Sequence, residues 1–218
     1  MSAPPAGIDC TSDPSEGPNG AQKGQFRSGF VEGRGSVEGR GSVEAVTVRR
    51  ATAHDLPAVL AMKNAAWRET YAHVLDAALL DRLDDRLEEQ VAGWRVALAE
   101  GGRVWLAEEA GGVVVGMAAT APRTERSLPA PEGMGGWPDD LPDTVLTSLY
   151  VLARAHGTGL GHRLHEAALG HAPAVLRVLD GNERAVRFYT GHGYRPVGDP
   201  EPIGGAWGDA HEQLMVRR

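Results

Sequence analysis

Cysteine is almost missing from this chain: Cys10 is the only one. That excludes an internal disulfide framework and leaves no thiolate cluster for a structural zinc. Aromatic residues are sparse, at 6% of the chain. No apolar run reaches the length of a membrane span, so no membrane partner is expected. An excess of basic charge is also absent, the formal net charge being −7. Binding to nucleic acid by phosphate neutralisation is therefore not expected. The acidic balance is a weak match to a cationic small substrate, and a solvated acidic surface explains it better. The first twenty residues show neither a basic start nor an apolar core, so no secretory signal is expected and a cytoplasmic location is.

What is present suffices for one domain of ordinary size: 218 residues, 42% of them hydrophobic. Residues 1–44 stand apart. They are rich in Gly, Pro, Ser and Glu and read as a disordered, low-complexity tail. The unit VEGRGS occupies 31–36 and again 37–42, too few copies for a solenoid. A fold is expected over 45–218.

Val145 to His162 organises that fold. An apolar run (Val145, Leu146, Leu149, Val151, Leu152) breaks into the glycine turn Gly157-Thr158-Gly159-Leu160-Gly161. Leu160, Leu164, Ala167 and Ala168 follow at helical spacing. A helix start leaves four N–H groups unpaired and carries partial positive charge. Glycines let an anion approach those groups. Strand, turn and helix thus form a grip for the pyrophosphate of a coenzyme.

The rest is read in order. Residues 45–49 alternate as an edge strand would. Thr52 and Asp55 resemble a capping box, with Pro57 near the first turn of a helix carrying Leu56, Val59, Leu60, Ala66 and Trp67. A second amphipathic helix is expected from about Asp76 to Ala99. Its stripe of Leu80, Leu83, Leu87, Val91, Trp94 and Leu98 should be core. Val104–Ala107 and Val113–Met117 flank a turn at Gly111-Gly112. Residues 121–143 carry five prolines and three glycines and read as a long loop, either a functional lid or an insertion without a role. After the glycine turn and its helix, Val175–Leu179 is a strand and Asn182 a helix cap, with Gly191 and Gly193 as stop signals. Tyr194–Val197 and Glu212–Val216 complete a mixed sheet with helices on both faces.

This order resembles the GNAT superfamily of N-acetyltransferases over about residues 46–217. One family signature is Arg or Gln, two residues, Gly, one residue, Gly or Ala. Here His156 replaces the leading residue, and Gly159 and Gly161 match. A second signature is met in full by Asn182, Ala185, Phe188, Tyr189, Gly193 and Tyr194. The stretch Trp67–Tyr71 also resembles the first-helix region of bacterial members. The resemblance implies an α/β fold with a mixed, mostly antiparallel sheet of six to seven strands, splayed between the fourth and fifth. It implies transfer of an acetyl group from acetyl-CoA to a primary amine of a small molecule or peptide, by direct attack in a ternary complex. A module that holds CoA without turnover is the alternative.

On that resemblance, backbone groups of Leu149, Tyr150 and Val151 pair with the pantetheine arm. Those of Gly157, Thr158, Gly159, Leu160, Gly161 and His162 hold the pyrophosphate, and Asn182 both caps its helix and touches the coenzyme. Tyr189 is the expected general acid for the departing thiolate. For the general base, Glu69 and Asp143 are candidates. Relatives that acetylate protein N-termini carry Glu where this chain has Arg177, which points away from a ribosomal-protein substrate. The acceptor is expected among the first helices, the 121–143 loop and the last strands, where Asp139, Asp140 and Asp143 could attract a cation. Family members often pair as homodimers, but no residue here demands it. His162 and His165 lie three apart but have no third ligand at metal spacing, so no metal is expected. The run Gly159–Leu164 lacks the last glycine of a dinucleotide fingerprint and follows the wrong strand, which sets an oxidoreductase aside.

Overall fold

The computed structural model describes residues 46–130, 137–138 and 140–218. The reading of 1–44 as a tail, including Cys10 and the repeats, lies outside the described residues, as does Asp139.

One sheet runs through the domain. Its strands are β1 (Thr47–Arg50), β2 (Arg103–Glu108), β3 (Val114–Pro122), β4 (Thr144–Val151), β5 (Ala174–Leu179), β6 (Arg195–Pro196), β7 (Glu201–Pro202) and β8 (His211–Arg217). The spatial order is β1-β2-β3-β4-β5-β8-β6, with β7 also on β8. Every pairing is antiparallel except β4 with β5. That parallel pair shares a single register match, Val145 with Val175. Beyond it the two strands part, which is the expected splay. β6 and β7 are two residues each; β7 has too few residues to show an alternating pattern and gave no signal in the sequence.

Alternation along the strands assigns the two faces, reset in β3 by a bulge at Val115. Met117 and Ala119 of β3 pack with Val59, Met62 and Ala66 of α1 (Leu56–Tyr71). Val115 and Ala118 pack instead with Leu160 and Leu164 of α4 (Leu160–Leu169). On that second face α5 (Glu183–Gly191) covers Leu176, Val178 and Met215. Fully burying each large apolar side chain contributes about 1.5–3 kcal/mol. No helix among the described residues is long and apolar enough to cross a membrane.

The expected helix from Asp76 to Ala99 is two helices, α2 (Ala77–Asp81) and α3 (Leu87–Ala99). The break has a polar cause. The Leu83 carbonyl accepts from the side chains of Asn64 and Gln90, and Asp84 accepts from Asn64 and Arg68. The apolar stripe still turns inward: Leu80, Leu83 and Val91 are buried, with Leu87, Trp94 and Leu98 packed against the core.

At the start of α1, only half of a capping box forms. The Thr52 N–H and hydroxyl both donate to Asp55 Oδ2 at 2.8 Å. Asp55 itself occupies the cap position without a side-chain cap bond. At its other end α5 closes in a Schellman motif, Gly193 N–H donating to Thr190 and Tyr194 N–H to Tyr189.

The described ends of the segment between β3 and β4 are anchored. Leu128 and Leu141 are buried against Val145, Val175, Leu214 and Val216, with Trp137 beside them.

Candidate active site

A cavity of about 530 Å³ opens where β4 and β5 separate. Val145–Val151 of β4 form one wall and Arg177–Leu179 of β5 the other. Ser127, Leu128 and Pro129 of the anchored loop reach it, as do Thr70, Tyr71 and the segment Pro202–Gly205 with Trp207.

At one end lies the glycine turn. Gly157 and Gly159 adopt φ of 78° and 82°, values that side-chain-bearing residues rarely reach. Gly159 caps α4 without any side-chain bond. The Thr158 hydroxyl donates to the Ala155 carbonyl, so it does not cap α4 either. Among the described residues, the backbone N–H groups of 157–162 donate to no backbone carbonyl; the first that does is Arg163, to Gly159. A row of amides at a positive helix end is therefore open to an anion.

His156 and Arg184 line this end of the cavity. The His156 Nε2–H donates to the Val151 carbonyl at 2.7 Å. That bond fixes the tautomer, so Nδ1 offers its lone pair, and it accepts from the Arg184 guanidinium. Arg184 has no carboxylate partner among the described residues. Sequence reasoning missed this residue. Its signal was its place two positions after Asn182, in the first turn of a cavity-facing helix.

At the other end three phenols converge from three elements: Tyr71 of α1, Tyr150 of β4 and Tyr189 of α5. Burial pushes each of their pKa values up, so all three stay protonated. The Tyr189 hydroxyl has no hydrogen-bond partner among the described residues. Trp207 packs edge-on to Tyr71 at 5.2 Å. Ser148 also lines the cavity, and its buried Oγ is unpartnered.

The floor holds a charged pair. Glu212 of β8 is 6% exposed and bonds to Arg177 of β5. Arg177 also donates to the Pro129 carbonyl and lies over the Trp137 ring at 5.4 Å. Burial raises the Glu212 pKa; Arg177 opposes the shift and Glu201, opposite on β7, adds to it.

Of the residues singled out from the sequence, the structure gathers Leu149, Tyr150, Val151, Gly161, Asn182 and Tyr189 on this one cavity. Gly157, Thr158, Gly159, Leu160 and His162 form the turn and helix start beside it rather than its lining. Asn182 caps α5 through Oδ1, accepting from Ala185 N–H at 3.1 Å, which leaves its NH₂ group for a ligand. Glu69 does not line the cavity; its carboxylate accepts from Ala153 N–H at 2.7 Å. Asp143 is fully exposed and faces Arg123, and Asp140 pairs with Arg218. No group of three or more metal-ligating side chains exists among the described residues.

A parted sheet, an amide-lined glycine turn and buried phenols at the far end share this one cavity. The model of the acetyltransferase (GNAT) family matches residues 59–194, and the chain belongs to that family. Its sequence is 28% identical over 149 residues to Probable N-acetyltransferase Rv2775 of Mycobacterium tuberculosis, covering 66% of this chain and 76% of that protein. A ribosomal-protein-alanine N-acetyltransferase from Brucella melitensis is similar in structure, with TM-score 0.56 and 25% identity over 78% of this chain and 98% of that one. The fold is also shared with the Salmonella typhimurium protein yncA, solved with its cofactor acetyl-CoA. That match has TM-score 0.55 and 20% identity over 79% of this chain and 93% of that one.

Proposed function

We propose that this chain transfers an acetyl group from acetyl-CoA to a primary amine of a small molecule or peptide, by direct attack within a ternary complex. The observation that carries the reading is the single register match between β4 and β5. Past it, the edge of β4 facing β5 is left without a strand. Leu152 N–H donates to Val115 on β3, so by alternation Leu149 turns its N–H and carbonyl, and Val151 its N–H, toward the gap, the Val151 carbonyl already accepting from His156. Tyr150, expected to pair with the arm as well, turns its backbone groups to β3 instead. A pantetheine arm fits there as an added strand. The orphaned Ser148 Oγ is a further group suited to a polar ligand.

In this reading the open amides of 157–162 hold the pyrophosphate, and Arg184 supplies a cation beside them. His156 stands where the signature has Arg or Gln, and it orients Arg184 instead of contacting phosphate itself. The amine's nitrogen attacks the thioester carbon, a C–N bond forms and the C–S bond breaks. Tyr189 gives its proton to the leaving sulfur and recovers one from the acylated nitrogen. Its raised pKa keeps the proton in place until thiolate develops. Glu69 has no part in this scheme because its carboxylate is held by Ala153 away from the cavity.

A homodimer is compatible with the reading. A cytoplasmic setting without nucleic-acid or membrane partners belongs to the same proposal; the net charge of −7 supports the part that concerns nucleic acid. The test is thiol release from acetyl-CoA with a panel of primary amines. Release that depends on the amine supports transfer. Tight binding of acetyl-CoA with no release on any amine would favour a CoA-holding module.

A further inference from the structure

The amine must shed a proton before it can attack, because an alkylammonium has a pKa near about 10.4. The base has to be found on the cavity. Glu212 is the only carboxylate among its described lining residues. His156 is the only imidazole there, and both its nitrogens are engaged, one by Val151 and one by Arg184. The phenols Tyr71, Tyr150 and Tyr189 are held protonated by burial. Asn182, Thr70, Ser127, Thr147 and Ser148 have no basic atom.

We infer that Glu212 is the general base for the acceptor amine and that Arg177 is the residue positioning it. This rests on the acetyltransferase reading above and deepens it. Leu179 and Glu212 are register partners, so their side chains share a face of the sheet. Leu179 packs with Trp67 and Trp207. Glu212 thus lies on the face of α1, opposite the α4 and α5 face. Acceptor and coenzyme then approach the splay from different sides.

The acceptor class follows from the same walls. Tyr71, Tyr150 and Trp207 present aromatic surface beside one carboxylate, a combination that suits an alkylammonium through ring faces and charge. The carboxylate takes a proton from R–NH₃⁺, giving R–NH₂ and the neutral acid. After transfer, the acid returns that proton to solvent. Arg177 fixes the carboxylate and favours its ionised form. The loop reaches this pair through the Pro129 carbonyl and Trp137. The charged groups facing Glu212 are Arg177 from β5 and Glu201 from β7.

The test compares two small amines as acceptors, n-propylamine, charged at pH 7, and methoxyamine, which is already neutral. Thiol release is followed for the wild type, Glu212→Gln, Glu212→Asp and Arg177→Met, and acetyl-CoA affinity is measured alongside by calorimetry. Glu212→Gln is expected to lower kcat/KM for propylamine on the order of 100-fold. The loss with methoxyamine should stay within about threefold, because that amine needs no base. Glu212→Asp should recover part of the propylamine rate. Arg177→Met removes the cation that favours ionisation, so the acidic limb of the propylamine pH profile should move to higher pH. Equal losses with both amines, or none with propylamine, would overturn the assignment. So would a wild type that binds acetyl-CoA and releases thiol on neither amine. Should Glu212→Gln lose coenzyme binding through misfolding, the Arg177→Met limb decides, an unmoved limb counting against Glu212. Failure of the wild type to bind acetyl-CoA at all would instead remove the acetyltransferase reading itself.

Discussion

His156 and Arg184 meet across 28 residues of sequence, the imidazole Nδ1 accepting from the guanidinium. The Val151 carbonyl holds the other side of the ring. A histidine in the glycine signature therefore holds an arginine of α5 at the cavity wall. Arg184→Met should weaken acetyl-CoA binding by about tenfold or more, the loss expected when a hydrogen bond to a charged group is removed. The effect should shrink as salt is raised. Arg187, exposed on the same helix and paired with Glu183, is the control. Arg187→Met should leave affinity unchanged. Calorimetry at two ionic strengths checks both.

Tyr189→Phe keeps the ring and removes the proton. Thiol release should fall by about 10²- to 10⁴-fold, the usual worth of a positioned acid, while acetyl-CoA affinity holds. Unchanged turnover would remove Tyr189 from the chemistry.

Much of this was legible before the structure. The run into Gly157–Gly161 carries its own period change, and the stretch from Asn182 to Gly193 carries both a cap and a stop. These are local signals, decided within a few residues of chain. The break at Leu83 was not legible, because its cause is Asn64 from another helix. Glu212 was hidden for a similar reason. Nothing near it in sequence marks it, and its role depends on Arg177, which the β5–β8 pairing brings alongside. Glu69 shows the converse: a carboxylate in a suggestive local string whose partner, Ala153, lies 84 residues away.

Gly159 stands in a left-handed conformation with open space where a Cβ would project. Gly159→Ala should therefore lose stability through backbone strain alone, by about 1–2 kcal/mol. Gly159→Asn should lose less, since Asn tolerates that region. Acetyl-CoA affinity should fall with the alanine variant, as relaxation of the turn would misdirect its amides. Urea melts with and without acetyl-CoA measure both effects.

His165 is buried on α4, its Nε2 3.3 Å from the Tyr194 hydroxyl and its Nδ1 without a partner. Burial first, then His192, Arg217 and His162, bring its pKa down to about 3. The unfolded chain takes up this proton near pH 6.5, well before the folded one. Stability should therefore fall as pH drops from about 6.5 toward 3, by at most about 1.4 kcal/mol per pH unit from this group. His165→Leu should show a shallower decline between pH 6.5 and 4.5. Urea midpoints across that range give the comparison, and parallel slopes would contradict the account.

The most direct test of the central claim is a crystal structure with acetyl-CoA bound. The account predicts the pantetheine arm along Leu149–Val151, the pyrophosphate on the amides of Gly157–His162 beside Arg184, and the thioester sulfur within hydrogen-bonding reach of the Tyr189 hydroxyl. Coenzyme bound outside the β4–β5 gap, or a Tyr189 hydroxyl turned away from the sulfur, would contradict it.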